Sequence, residues 1–152
     1  MQQRLLDVQA ANLTVALCLL VFAWGLYVFA RANDLSRLPT LFVACYALAQ
    51  MGVAAFPSPH RLHSVFGLSM IVGYLAPLVL AVSWKNLVDA RKLGVVSWFA
   101  FVLVSITIFL NLDPVVMRDL HTLEYYGIVQ RGLFVAFYGW CLYIGLGLFA
   151  RA

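Results

Sequence analysis

Five apolar runs, each about as long as a helix that crosses a bilayer, fill nearly all of this chain. They extend over Ala11–Ala30, Leu38–Phe56, Leu62–Trp84, Gly94–Leu112 and Tyr126–Ala150. A crossing takes roughly 20 mostly apolar residues at about 1.5 Å of rise each. A helix on the surface of a soluble domain is shorter and keeps one polar face, whereas these runs are apolar on all sides. The longest connection, Asp113 to Tyr125, is too short to fold by itself. Residues 1–152 are therefore expected to form one all-α domain, an integral membrane bundle of five transmembrane helices. Hydrophobic residues make up 64% of the chain and charged residues 11%, against roughly a quarter charged in a soluble domain.

The formal charge of +4 is spread over the span ends and does not form a phosphate-tracking cluster, so nucleic acid is not an expected partner. The positive residues serve better to orient the chain. Arg4, Arg61, Arg118 and Arg131 fall on the end that carries the N-terminus. Arg31, Arg37, Lys85, Arg91, Lys92 and Arg151 fall on the other. Short loops rich in Lys and Arg stay cytoplasmic, which predicts the N-terminus outside and the C-terminus inside. The run after Ala10 is too long for a signal-peptide core and no small-residue cleavage site follows it, so it reads as a retained span. An outward N-terminus without a cleaved leader implies a further helix ahead of the first span, either lost or supplied by a partner. Trp84, beside Lys85, and Tyr125 and Tyr126 are expected at headgroup level, where aromatic rings collect.

Inside the spans the polar residues are Gln50, Tyr74, Ser97, Ser105, Thr107 and Tyr138. They are expected to bond between helices. Gln50 most needs to face a neighbour, because its amide offers several groups to satisfy. Ser69 with Gly73, and Gly132 with Ala136, are small residues four apart that permit close helix contact. Pro77, one turn after Gly73, predicts a kink in the third span. Cys18, Cys45 and Cys141 match no zinc or redox spacing and read as small buried hydrophobes. No Asp, Glu, Lys or Arg lies near the centre of a span, which argues against a carrier built on a buried charge.

The ionisable groups gather on the N-terminal face: His60, His63, His121, Asp113, Asp119, Glu124 and Arg131. Three readings stay open. These can be ordinary boundary residues, with Arg131 snorkelling to headgroups. They can form a polar pocket in which Arg131 holds an anionic headgroup or carboxylate, with Gln130, His63 and Asn111 as hydrogen-bonding partners. Or His60, His63, His121 and Asp113 can bind zinc and activate a water for hydrolysis. Bis-His haem ligation inside the bundle is excluded by the absence of facing mid-span histidines. Ser64 beside His63 makes no nucleophile–base pair, because adjacent helical residues point apart. No catalytic residue is assigned and no cofactor is expected beyond that zinc.

Gly52 followed by Phe56-Pro57 at a span end, His63 opening the next span, Gly127-Ile128-Val129-Gln130-Arg131 opening the last, and Trp140 within it form an ordered series. In these features the chain, from about Ala11 to Ala150, resembles the prokaryotic multi-spanning membrane family catalogued as domain of unknown function 998. The resemblance implies a prokaryotic plasma-membrane protein in which Arg131, Gln130 and His63 belong together. Members of that family usually carry six spans, with an extra helix and polar loop ahead of the part matched here. The resemblance implies no reaction. The leading expectation is a non-catalytic accessory subunit or lipid- or amphiphile-binding protein, with membrane lipids, a second copy or a larger membrane complex as partners. A metal-dependent membrane hydrolase and a small transporter are the alternatives.

Overall fold

Lipid offers no partner to backbone N–H and C=O groups, so each apolar run must satisfy them internally and becomes helical. The computed structural model describes residues 2–57, 59–87, 91–116 and 126–151. In chain order the helices are α1 (Gln2–Ala32), α2 (Leu38–Ala55), α3 (Arg61–Gly73), α4 (Ala76–Ser83), α5 (Arg91–Val116) and α6 (Tyr126–Phe149). They provide five segments long and apolar enough to cross a membrane, with α3 and α4 together making the third. The chain is a multi-pass membrane protein.

Several boundaries differ from the apolar runs. α1 begins at Gln2, well ahead of Ala11, because Gln2–Ala10 holds no proline or glycine to stop a helix. It ends at a turn in which Asp34 takes φ 51° and the Leu35 N–H reaches back to the Ala30 carbonyl at 2.8 Å. This is a Schellman-type stop, with Asp34 in the left-handed position that glycine usually fills. α5 runs on to Val116, so Asn111 and Asp113 belong to its last turns and do not follow it.

The kink predicted in the third span falls where α3 passes into α4. α3 stops at Gly73, Tyr74 and Leu75 form a turn, and α4 restarts at Ala76. Pro77 has no N–H to give the Gly73 carbonyl. The Leu75 N–H bonds instead to Val72, one residue nearer than the α pattern, at 3.2 Å.

α2 is the axis of the bundle, packing on α1, α3 and α4, while α5 joins α4 to α6 and α6 closes lightly on α1. Two glycines set the α2–α3 approach. A methyl group on Gly52 would overlap the Phe66 ring, and one on Gly73 would overlap Tyr46. Of the two predicted small-residue pairs, Gly73 makes that intimate contact while its partner Ser69 is exposed.

Tyr46 is fully buried at the centre, its ring 4.5 Å from Phe137 and 4.9 Å from Tyr74. Ser97 bonds across helices as expected, accepting from the Trp140 indole N–H at 2.8 Å. Thr107 Oγ1 lies 2.9 Å from both the Leu103 and the Val104 carbonyls of its own helix. Cys141 is buried, but Cys18 and Cys45 are exposed. Trp24, Leu48, Phe99, Val135 and Leu146 are exposed too, an apolar exterior suited to lipid.

Trp84 stands at the end of the third span, covered by protein. It is 2% exposed, packs near Phe29, and donates its indole N–H to the Ser36 carbonyl at 2.8 Å. The turn between α1 and α2 thus folds over the end of α4 and is pinned there. Trp84→Phe retains a ring but loses this bond, and should lower unfolding free energy by about 1 kcal/mol. An SDS-unfolding midpoint equal to that of the unaltered protein would show that the bond contributes nothing.

Candidate functional site

The short α2–α3 turn builds one wall of the site. Phe56 ends α2, and Pro57 prevents its continuation. His60 caps α3, its Nδ1 accepting the Leu62 N–H at 3.1 Å. The Phe56 ring stacks on both His60 and Phe66, and its carbonyl lies 2.9 Å from His63 Nδ1. A carbonyl only accepts, so the neutral His63 ring carries its proton on Nδ1 and presents Nε2 as an acceptor.

Beside this turn lies a cleft of about 660 Å³. It runs along α3 between His63 and Tyr74 and faces the first turns of α6. Asn12 of α1 and Gln50 of α2 line it, together with His63, Ser64, Gly67 and Tyr74 on the α3 side and Gln130, Leu133 and Phe134 of α6. Gln50 is 4% exposed, and its amide donates to the Asn12 carbonyl oxygen at 3.0 Å. It faces a neighbouring helix, as its position within a span demands.

Tyr74, at the turn between α3 and α4, also lines it, about 20 Å along the axis from Arg61. The Tyr46 hydroxyl stands 3.1 Å from that of Tyr74 and 3.3 Å from that of Tyr138. One hydroxyl carries one proton, so Tyr46 can donate to one phenol while accepting from the other.

The cleft thus brings together two residues of the predicted pocket, His63 and Gln130. Arg131 is exposed and is not part of the lining. Successive helical residues point about 100° apart, which separates it from Gln130. It lies about 8 Å along α6 from Tyr126. The side chains of Asn111 and Asp113, and His121 entirely, lie outside the described residues. Of the four proposed zinc ligands, His60 and His63 each use Nδ1 in the local contacts above. Among the described residues, no group of three or more His, Cys, Asp or Glu is placed to share a metal ion.

A family model described as "Protein of unknown function (DUF998)" matches residues 4–147. The chain belongs to this family. No curated protein and no solved structure matches it. Of the residues that carried the resemblance, Gly52, Phe56 and His63 gather at the α2–α3 turn: Gly52 admits the Phe66 ring, and Phe56 stacks on that ring and accepts from His63 Nδ1. Gln130 lines the cleft with His63, whereas Arg131 does not and Trp140 lies elsewhere, bonded to Ser97.

Asn12 and Tyr46 were not among the polar residues singled out from the sequence. Tyr46 could have been found, since it lies one turn before Gln50 on the same face of α2. Asn12 sits near the start of an apolar run, where a polar residue attracts no notice.

Proposed function

We propose that this protein is a non-catalytic membrane protein that holds one amphiphile in the cleft. The ligand's polar head lies among Asn12, Gln50, His63 and Gln130. Its apolar part lies against Leu68, Ile71, Ile108, Leu133 and Phe134. The observation that carries this reading is the mixed lining of a single cavity. Its size falls in the range of about 300–1,000 Å³ that small-molecule pockets occupy, and its few polar groups converge from four helices.

Gly67 offers a direct test. It lines the cleft, and a Cβ built on it meets nothing within 4 Å. Gly67→Leu therefore places a side chain in the ligand's space without touching the fold. Native mass spectrometry of the purified protein should show a co-purified amphiphile on the unaltered chain and on Gly67→Ala, and at least a tenfold lower occupancy on Gly67→Leu. Equal occupancy on all three would move the ligand elsewhere and end this reading.

A further inference from the structure

We infer that the head group held in this cleft is uncharged and bears hydroxyls, as in an acylglycerol or a lipid alcohol, and that a phosphate in its place is rejected. This rests on the amphiphile reading above and names the ligand's chemistry.

The side chains decide it. Among the described residues, the polar side chains lining the cleft are Asn12, Gln50, His63, Ser64, Tyr74 and Gln130, with no Lys, Arg, Asp or Glu. A phosphate brought in would leave water without a countercharge, which is costly in a low-dielectric site. Hydrogen-bonding character points the same way. The bond between Gln50 and Asn12 consumes one amide N–H and one carbonyl, whichever way the two amides are turned. No other partner of either side chain falls among the described residues. One carbonyl and further amide N–H groups therefore remain for whatever enters.

In its neutral form His63 adds a second acceptor at Nε2, because Nδ1 donates to the Phe56 carbonyl. A hydroxyl both donates and accepts, so it can satisfy an amide carbonyl or imidazole nitrogen and an amide N–H together. An ionised phosphate oxygen only accepts, and facing the Gln50 carbonyl or the neutral His63 Nε2 it would leave that acceptor unpaired beside a negative charge.

The test compares two lipids that differ only in the phosphate, dioleoylglycerol and dioleoyl phosphatidic acid, added separately to the full-length, delipidated protein in neutral detergent. Binding is read by native mass spectrometry. Dioleoylglycerol should bind at least tenfold more tightly, and Gly67→Leu should abolish its binding. Gln130→Leu, at an exposed position that the fold does not need, should weaken dioleoylglycerol several-fold and leave phosphatidic acid unchanged. If phosphatidic acid binds as well or better and Gly67→Leu removes it, the head-group inference is overturned while the cleft remains the site. Arg61 or Arg131, both exposed on this end, would then be the cations that reach it. If neither lipid binds in a Gly67→Leu-sensitive way, the amphiphile reading fails and this inference with it.

Discussion

Gly73→Leu should prevent the bundle from forming, with a loss of at least about 3 kcal/mol in unfolding free energy. Gly73 is the last residue of α3, and the side chain it lacks would occupy the volume of the Tyr46 Cβ and Cα. A flexible side-chain tip could turn aside. A Cα cannot, since moving it moves α2, and α2 is the helix on which α1, α3 and α4 all pack. A single added methyl already requires that shift, so Gly73→Ala should cost about 2 kcal/mol, within the usual range for overpacking.

Gly67, earlier in the same helix, supplies the control. Its Cβ position is open, so Gly67→Ala should instead stabilise the helix by up to about 1 kcal/mol through its higher helix propensity. Circular dichroism through an SDS titration reads both substitutions. If Gly73→Leu and Gly67→Ala have the same midpoint, α2 and α3 do not meet as described here.

Tyr46→Ala should cost about 3 kcal/mol or more, the usual loss when a buried aromatic ring is truncated and leaves a cavity. Its ring is fully buried and lies against Phe137, Tyr74 and Tyr138, so it joins α2, the α3–α4 turn and α6. Hydrophobic transfer contributes little inside a membrane. The loss comes from dispersion contacts that no lipid tail can replace in an interior void.

Tyr46→Phe separates the hydroxyl from the ring. It keeps the packing and removes both phenol bonds, at about 0.6 kcal/mol each for a bond between membrane helices. The expected loss is about 1 kcal/mol, roughly a third of that for alanine. Equal losses for the two variants would mean that the phenol bonds, and not the ring, hold the centre together.

The two pairs of residues also show where sequence reasoning reaches its limit. Pro77 and Gly73 announced a disturbance in the third span, because the chemistry of a missing N–H is local. That Tyr74, at this turn, meets Tyr46 depends on how α2 packs against α3. Trp84 beside Lys85 has the composition of an interfacial anchor, yet the α1–α2 turn covers it. For the cleft, Gln130 and His63 were legible as polar residues at the openings of two spans. Arg131 carried more weight in the sequence than Gln130 because it is charged, but the turn of α6 leads Gln130 alone to the cavity.

What the amino-acid sequence determined is the number and placement of the spans, the all-helical class and the absence of charge at their centres. These follow from a solvent with no hydrogen bonds to offer, which acts on each segment independently. What only the tertiary structure decided is which face of each span is inside, and hence that Asn12, Gln50, His63 and Gln130 share one cavity. Lipid is as apolar as leucine, so a membrane helix shows no apolar stripe to mark its buried side. The choice falls to shape and to a few long-range bonds: a glycine against a tyrosine, an amide against an amide.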